Sequence, residues 1–218
     1  ENIKFANFGY KENLIRGRVF GKNFKIKIDD NYKNINFKLL NSGINAEINF
    51  DKKQKTNFKL GVFRAKILNT NFKSSFEYDG KNIKIFNAYF RSKDLSFKHN
   101  SEIILNPFLD INSNFIIEEL NTQILTNQNF IKLFKVKDLL RKINNKSEIK
   151  FIPKKFNRNF FEDLYLKINL AYGRMNYSKK LLIANSTIKC NGSINFLEEY
   201  PLLFFDCYLK AENKREFL

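Results

Sequence analysis

A chain of 218 residues, 43% hydrophobic and 28% charged, is long enough to bury a core, and its mean hydropathy of −0.43 is too polar for a bundle of membrane helices. No run reaches the roughly 18–20 apolar residues that a membrane-spanning helix needs. A net charge of +17 raises nucleic acid or anionic lipid as partners, but the lysines come one or two at a time between apolar residues, as in Phe24–Ile28 (FKIKI), without gathering into a basic tail or stripe. Such spacing reads as the solvated faces of strands, and no nucleic-acid partner is expected. Lys, Asn, Ile and Phe make up roughly half of the residues, a bias toward A/T-rich codons that weakens any inference from a single Lys or Asn.

Apolar and polar residues alternate strictly along most of the chain. Strand side chains project to opposite faces in turn, so the pattern predicts sheets with one dry face and one wet face. The clear segments begin with Phe24, Ile26 and Ile28, then Ile35, Phe37 and Leu39, then Ile44, Ala46, Ile48 and Phe50, then Phe58, Leu60 and Val62. Turn residues separate them at Asp29–Asn31, Asn41–Gly43 and Asp51–Lys55. Phe72, Phe76 and Tyr78 follow, with a turn signal at Asp79 and Gly80. In the next strand, from Ile83, the apolar phase shifts between Ile85 and Phe86 and predicts a bulge. Leu95 and Phe97, then Leu109, Ile111, Phe115 and Ile117, continue an antiparallel meander.

From Asn129 to Ile143 the spacing becomes helical, with Phe130, Leu133, Phe134, Leu140 and Ile143 recurring every three or four residues among Lys and Arg, which predicts one amphipathic helix covering the sheet. The stretch Asn144–Asn159, with Pro153, reads as a connection containing a short strand at Ile149–Ile152. Alternation resumes at Leu164, Leu166, Ile168, Leu170 and Tyr172, turns near Gly173 and Arg174, and returns through Met175 and Tyr177. Leu182, Ala184, Ile188 and Cys190 precede a turn signal at Asn191 and Gly192; Ile194, Phe196, Leu203, Phe205, Cys207 and Leu209 close the series. The expected organisation is a β region over 1–128, a helix and connection over 129–159, and a second antiparallel region over 160–218. The fold class is mainly β, an elongated or curled sheet with an apolar concave face.

Little in the sequence supports catalysis. The only histidine, His99, sits in a KHN turn, so Ser or Cys lacks an evident base, and the glycine-rich, nucleophile-elbow and HExxH motifs are missing. The acidic pairs Asp29–Asp30, Glu118–Glu119, Glu162–Asp163 and Glu198–Glu199 are sequence neighbours, which point to opposite sides of a strand. Cys190 and Cys207 fit no metal pattern. They read as two ordinary core residues, with pairing open to them in an oxidising compartment. A non-enzymatic protein without metal or cofactor is expected.

The run from Tyr165 to Leu218, YLKINLAYGRMNYSKKLLIANSTIKCNGSINFLEEYPLLFFDCYLKAENKREFL, resembles the C-terminal region of AsmA-like proteins in its succession of alternating strands, short turns and a closing apolar, acidic, apolar strand. Upstream, Asn82–Leu120 resembles their linked strands leading to a short Pro-containing segment, here NPFLDI. The likeness extends over about Asn69–Leu218 and rests on strand rhythm.

That resemblance implies a bacterial envelope protein in the periplasm, tethered to the inner membrane by an N-terminal helix and passing lipids toward the outer membrane along a sheet groove. The chain begins at Glu1 and its only methionine is Met175, so it is read as a fragment or processed product with the tether elsewhere. The partners expected are phospholipid acyl chains, and the residues expected to touch them are Phe72, Phe76, Leu164, Leu166, Ile168 and Leu170. The competing expectation is a closed β-sandwich, serving as a structural or protein-interaction module of an envelope assembly.

Overall fold

The computed structural model describes residues 3–7, 12–19, 21–29, 32–51, 58–121, 140–153, 162–183 and 185–211. They form fifteen strands within two compact units, Glu1–Lys93 and Asp94–Leu218. The first unit holds β1 (Ile3–Asn7), β2 (Glu12–Val19), β3 (Lys22–Asp29), β4 (Asn34–Leu39), β5 (Ile44–Phe50), β6 (Lys59–Ile67), β7 (Thr70–Tyr78) and β8 (Asn82–Arg91). Each pairs antiparallel with the next, as the alternation predicts from β3 onward; β1 and β2 precede the first segment read from the sequence. The second holds β9 (Leu95–Ile104), β10 (Leu109–Leu120), β11 (Ile143–Phe151), β12 (Asp163–Ala171), β13 (Arg174–Ile183), β14 (Ser186–Asn195) and β15 (Leu203–Lys210), also in sequential order.

Turn chemistry sets the hairpins. The Asp29 carboxylate accepts from the backbone N–H groups of Lys33 and Asn34 at 2.6 and 3.0 Å, and Asp79 accepts from those of Lys81 and Asn82 at 2.8 and 2.6 Å. These bonds to the charged form hold the Asp79 carboxyl below its usual range. Between β12 and β13 both loop residues, Tyr172 and Gly173, have positive φ (51° and 74°), the geometry whose twist matches a two-residue hairpin. The predicted bulge is present: Lys73 faces Tyr89 and Ser75 faces Phe86, so Ser74 stands opposite both Asn87 and Ala88.

Four expectations are corrected. Of the predicted helix, residues 129–139 lie outside the described residues; Leu140 alone carries helical geometry, Arg141 and Lys142 form a turn, and Ile143 opens β11. The connection predicted from Asn144 is instead β11 through Phe151, and β11 runs parallel to β10, from Leu109 opposite Ile143 to Ile117 opposite Phe151. Parallel neighbours need a crossover of about a dozen residues or more, which the chain between Leu120 and Ile143 supplies. The turn signal at Asn191–Gly192 lies inside β14. Gly192 lacks a side chain because the Tyr177 ring covers it: an added Cβ would sit 2.5 Å from Tyr177 Cε1. Finally, Cys190 and Cys207 are not independent core residues. They face each other across β14 and β15 with Cα atoms 4.1 Å apart and form a disulfide.

Within each unit the strands make one layer. Among the described residues only eight apolar side chains are buried, Leu14, Leu39 and Ala88 in the first unit and Phe151, Leu170, Leu181, Cys190 and Phe196 in the second. The other apolar side chains of the alternating faces are mostly half-buried, covered sideways by cross-strand neighbours and, among the described residues, by no second sheet. The disulfide therefore bears on β15, all eight of whose residues are exposed. Replacing both cysteines with serine, or reducing the bond, should lower unfolding stability of the β14–β15 hairpin by about 3 kcal/mol, the value for a loop of this length. Hydrogen exchange of the β15 amides with and without reductant measures it; unchanged protection would show that pairing alone holds the strand.

Candidate functional site

In the second unit the register assembles the odd-numbered side chains of β9–β11 and their cross-strand partners into rows running across the strands. One row is apolar over all seven: Phe97, Ile117, Phe151, Leu164, Leu181, Ile188 and Leu209. At about 4.8 Å per strand it extends about 29 Å. The next runs His99, Phe115, Ile149, Leu166, Lys179 and the Cys190–Cys207 pair. A third begins with Ser101, Ser113 and Ser147 and continues through Ile168, Tyr177, Gly192 and Phe205.

The four residues expected on β12 thus each lie in a different row of one face. Leu164 stands between Phe151 and Leu181, Leu166 between Ile149 and Lys179, Ile168 between Ser147 and Tyr177, and Leu170 between Asn145 and Met175. Leu164, Leu166 and Ile168 are half-buried and keep apolar surface to offer; Leu170, 5% exposed, is covered by its neighbours.

Phe72 and Phe76 belong to the first unit, on one face of β7 with the buried Ser74 between them. Phe72 lies between Ala65 and Phe90, its ring centroid 5.8 Å from that of Phe63. Phe76 lies over Gly61, where an added Cβ would be 2.6 Å from Cζ, and meets Phe50 edge-on at 5.6 Å. A row of Ile15, Ile26, Phe37, Ala46, Ala65, Phe72 and Phe90 crosses β2 to β8 on this face.

Polar members of the apolar face escaped the sequence reading, because alternation shows which residues share a face but not which become neighbours. Ser101, Ser113 and Ser147 are all buried; Ser147 Oγ donates to Asn145 Oδ1 at 2.8 Å, while Ser101 Oγ has no protein partner. His99, expected in a surface turn, lies in mid-strand in β9 and stacks on Phe115 at 4.3 Å with a 14° interplanar angle. Its Nε2 is buried without a hydrogen-bond partner among the described residues. On the other face of the sheet Lys98 pairs with Glu118 at 2.6 Å, where the bulge after Ile117 turns that carboxylate into cover.

No family model, curated protein or solved structure matches the chain. Among the described residues no group of three His, Cys, Asp or Glu side chains gathers in metal-binding geometry.

Burial pushes the His99 imidazolium pKa below the ordinary 6.5, because the charged ring loses water without gaining an acceptor. The unfolded chain therefore binds this proton more readily than the folded one. Stability is unaffected above about pH 6.5 and falls as the pH drops from there toward the lower folded value. In urea titrations at about pH 7.5 and about pH 5, His99→Phe should lose less stability on acidification than the wild type. Equal losses would mean that His99 is solvated.

Proposed function

We propose that the chain is a non-catalytic segment of an AsmA-like envelope protein that shelters lipid acyl chains on the apolar face of its sheets. One observation carries the reading. In each unit a broad face of Phe, Ile and Leu stands half-exposed on a single layer, with too few buried residues among those described to form a closed core between two sheets. A soluble protein rarely leaves such a face uncovered without an apolar ligand or partner. Each methylene transferred fully from water to such a surface is worth about 0.8 kcal/mol, so an acyl chain lying along the uninterrupted Phe97–Leu209 row would be held without any covalent step.

On this reading the chain works in the periplasm between inner and outer membranes, and the bound molecules are phospholipids. The absence of a continuous polar barrier along the apolar rows lets lipid slide from strand to strand. Headgroups would stay in water at the margin of the face, where lysines favour phosphates without selecting one lipid. A second reading, an interaction module, is favoured by one feature: β15 carries Leu203, Phe204, Phe205, Tyr208 and Leu209, each at least 49% exposed, on a strand without a further neighbour among the described residues. An edge of this kind accepts an added strand from a partner protein.

Lipid carriage is tested by native mass spectrometry of protein purified from cells, with photocrosslinking from positions 166 and 168. Co-purifying phospholipid and crosslinks to acyl chains are expected, and Ile168→Asp should reduce bound lipid severalfold, since a carboxylate at mid-face must be hydrated. Hydrogen-exchange protection of β11–β13 separates loss of loading from loss of fold. A folded wild type that carries no lipid and crosslinks solely to protein leaves the module reading.

A further inference from the structure

The face opposite the apolar rows in the first unit shows an arrangement that the sequence conceals. Register places Lys4 opposite Arg16, Arg16 opposite Lys25, and Lys25 opposite Lys38, so four cations occupy directly adjacent positions on β1 to β4. The same row continues through Asn45 and Asn71, which fill β5 and β7, with Lys66 on β6 and Arg91 on β8. All eight strands contribute and no carboxylate stands in the row. None of the six cations is in an ion pair among the described residues; Glu47 bridges to Arg64, one row away, at 3.7 Å.

Like charges directly opposite each other across strands destabilise a sheet, and a solvated lysine face ordinarily interleaves acids with bases to avoid it. The row departs from that arrangement, and an anion laid along it would remove the repulsion. Where the row crosses β4 to β8 it borders a surface groove of about 680 Å³, whose walls include Lys38, Lys66 and Arg91 on one side and Arg64, Lys73, Tyr89 and the single carboxylate Glu47 on the other. The groove is open and its floor is formed by the residues between, Phe37, Ala46, Ala65 and Phe72, whose side chains belong to the other face.

We infer that this row is a docking track for a flexible, linear polyphosphate chain, held through its phosphates alone. The charges repeat at the strand spacing of about 4.8 Å on β1 to β4 and about twice that beyond, over a length of about 34 Å, which suits a polymer with closely repeating charge. Neighbouring strands rotate by roughly 20–25°, so a row crossing eight of them winds; a flexible chain can follow it, whereas a flat anionic membrane would meet only part. The row itself contains no aromatic side chain and the groove beside it holds one on this face, Tyr89, so successive bases have no run of rings to stack on, unlike a single-stranded nucleic-acid site. This inference is independent of lipid carriage, which uses the opposite face.

The test is calorimetric titration of the whole chain with inorganic polyphosphate long enough to span the row, at several salt concentrations. Lys25→Gln, Lys38→Gln and Lys66→Gln combined should weaken binding by at least about tenfold and lower the slope of log K against log salt by about 2, the share of three lost contacts. Lys59→Gln, Lys84→Gln and Lys93→Gln combined remove the same charge from the same unit off the row and should change affinity by less than about twofold. Equal losses in the two triple variants would reduce the effect to net charge and overturn the track. Tighter binding of single-stranded DNA with the same number of phosphates would replace it with a nucleic-acid site, and binding only to anionic phospholipid vesicles would replace it with a membrane contact.

Discussion

In-register pairing of long, alternating strands is the constraint on which the rest of this structure depends. The side-chain period of a strand is two, so pairing residue against residue fixes both the face on which a side chain appears and the two residues beside it. A slip of one position between β12 and β13 would exchange Leu164, Leu166 and Ile168 for Tyr165, Lys167 and Asn169 on the apolar face. Because one face is mostly apolar, each wrong register costs the burial of several side chains at once. The turns reinforce this specificity: the carboxylates of Asp29 and Asp79 close hairpins of fixed length, so β4 and β8 start at defined positions.

A single layer must stabilise itself sideways. In a two-sheet sandwich an apolar side chain is covered from above, but here coverage comes from the neighbour on the next strand. The fit is therefore made of large residues beside small ones. Phe76 fills the space over Gly61, and Tyr177 that over Gly192; at both places the glycine reflects the approach of an aromatic ring, and neither has the positive φ that would mark a turn. Ala46 and Ala65 stand side by side between Phe37 and Phe72 for the same reason. The result is a face smooth enough to be half-covered and still half-open, which is the condition that lipid shelter requires.

The same geometry explains which features were legible in the sequence. Strand existence, face assignment, most turns and the bulge near Phe86 follow from local alternation, and they are the features that depend on one strand at a time. The parallel β10–β11 junction was hidden because a parallel strand pair has no hairpin signal, and β11 (INNKSEIKF) is too rich in Asn and Lys to look like a strand beside Pro153. His99 was misplaced because KHN reads as a turn in isolation, whereas its partner across the sheet is Phe115. That Leu164, Leu166, Ile168 and Leu170 share one face of β12 was legible, but not the coverage of Leu170 or the serines in the row of Ile168, both of which need neighbours from distant parts of the chain. Lys4, Arg16, Lys25 and Lys38 look scattered in sequence for the same reason: only pairing makes them adjacent.

The two ends of the second unit's sheet show how far sideways stabilisation can reach. Phe151 on β11 and Leu170 on β12 have neighbours on both sides and are nearly covered, while Leu209 and Leu203 on β15 remain 49% and 52% exposed although they occupy the same two rows. Burial thus declines toward the edge, where the hydrophobic contribution per residue is smallest and, among the described residues, the backbone has strand partners on one side only. That is where the Cys190–Cys207 link stands, joining the last two strands at the point where packing holds them least. Its contribution does not rely on buried area, since a cross-link acts chiefly on the unfolded chain. The edge presents Leu209 as the continuation of the uninterrupted apolar row that holds Phe151, with a covalent link to the strand beside it.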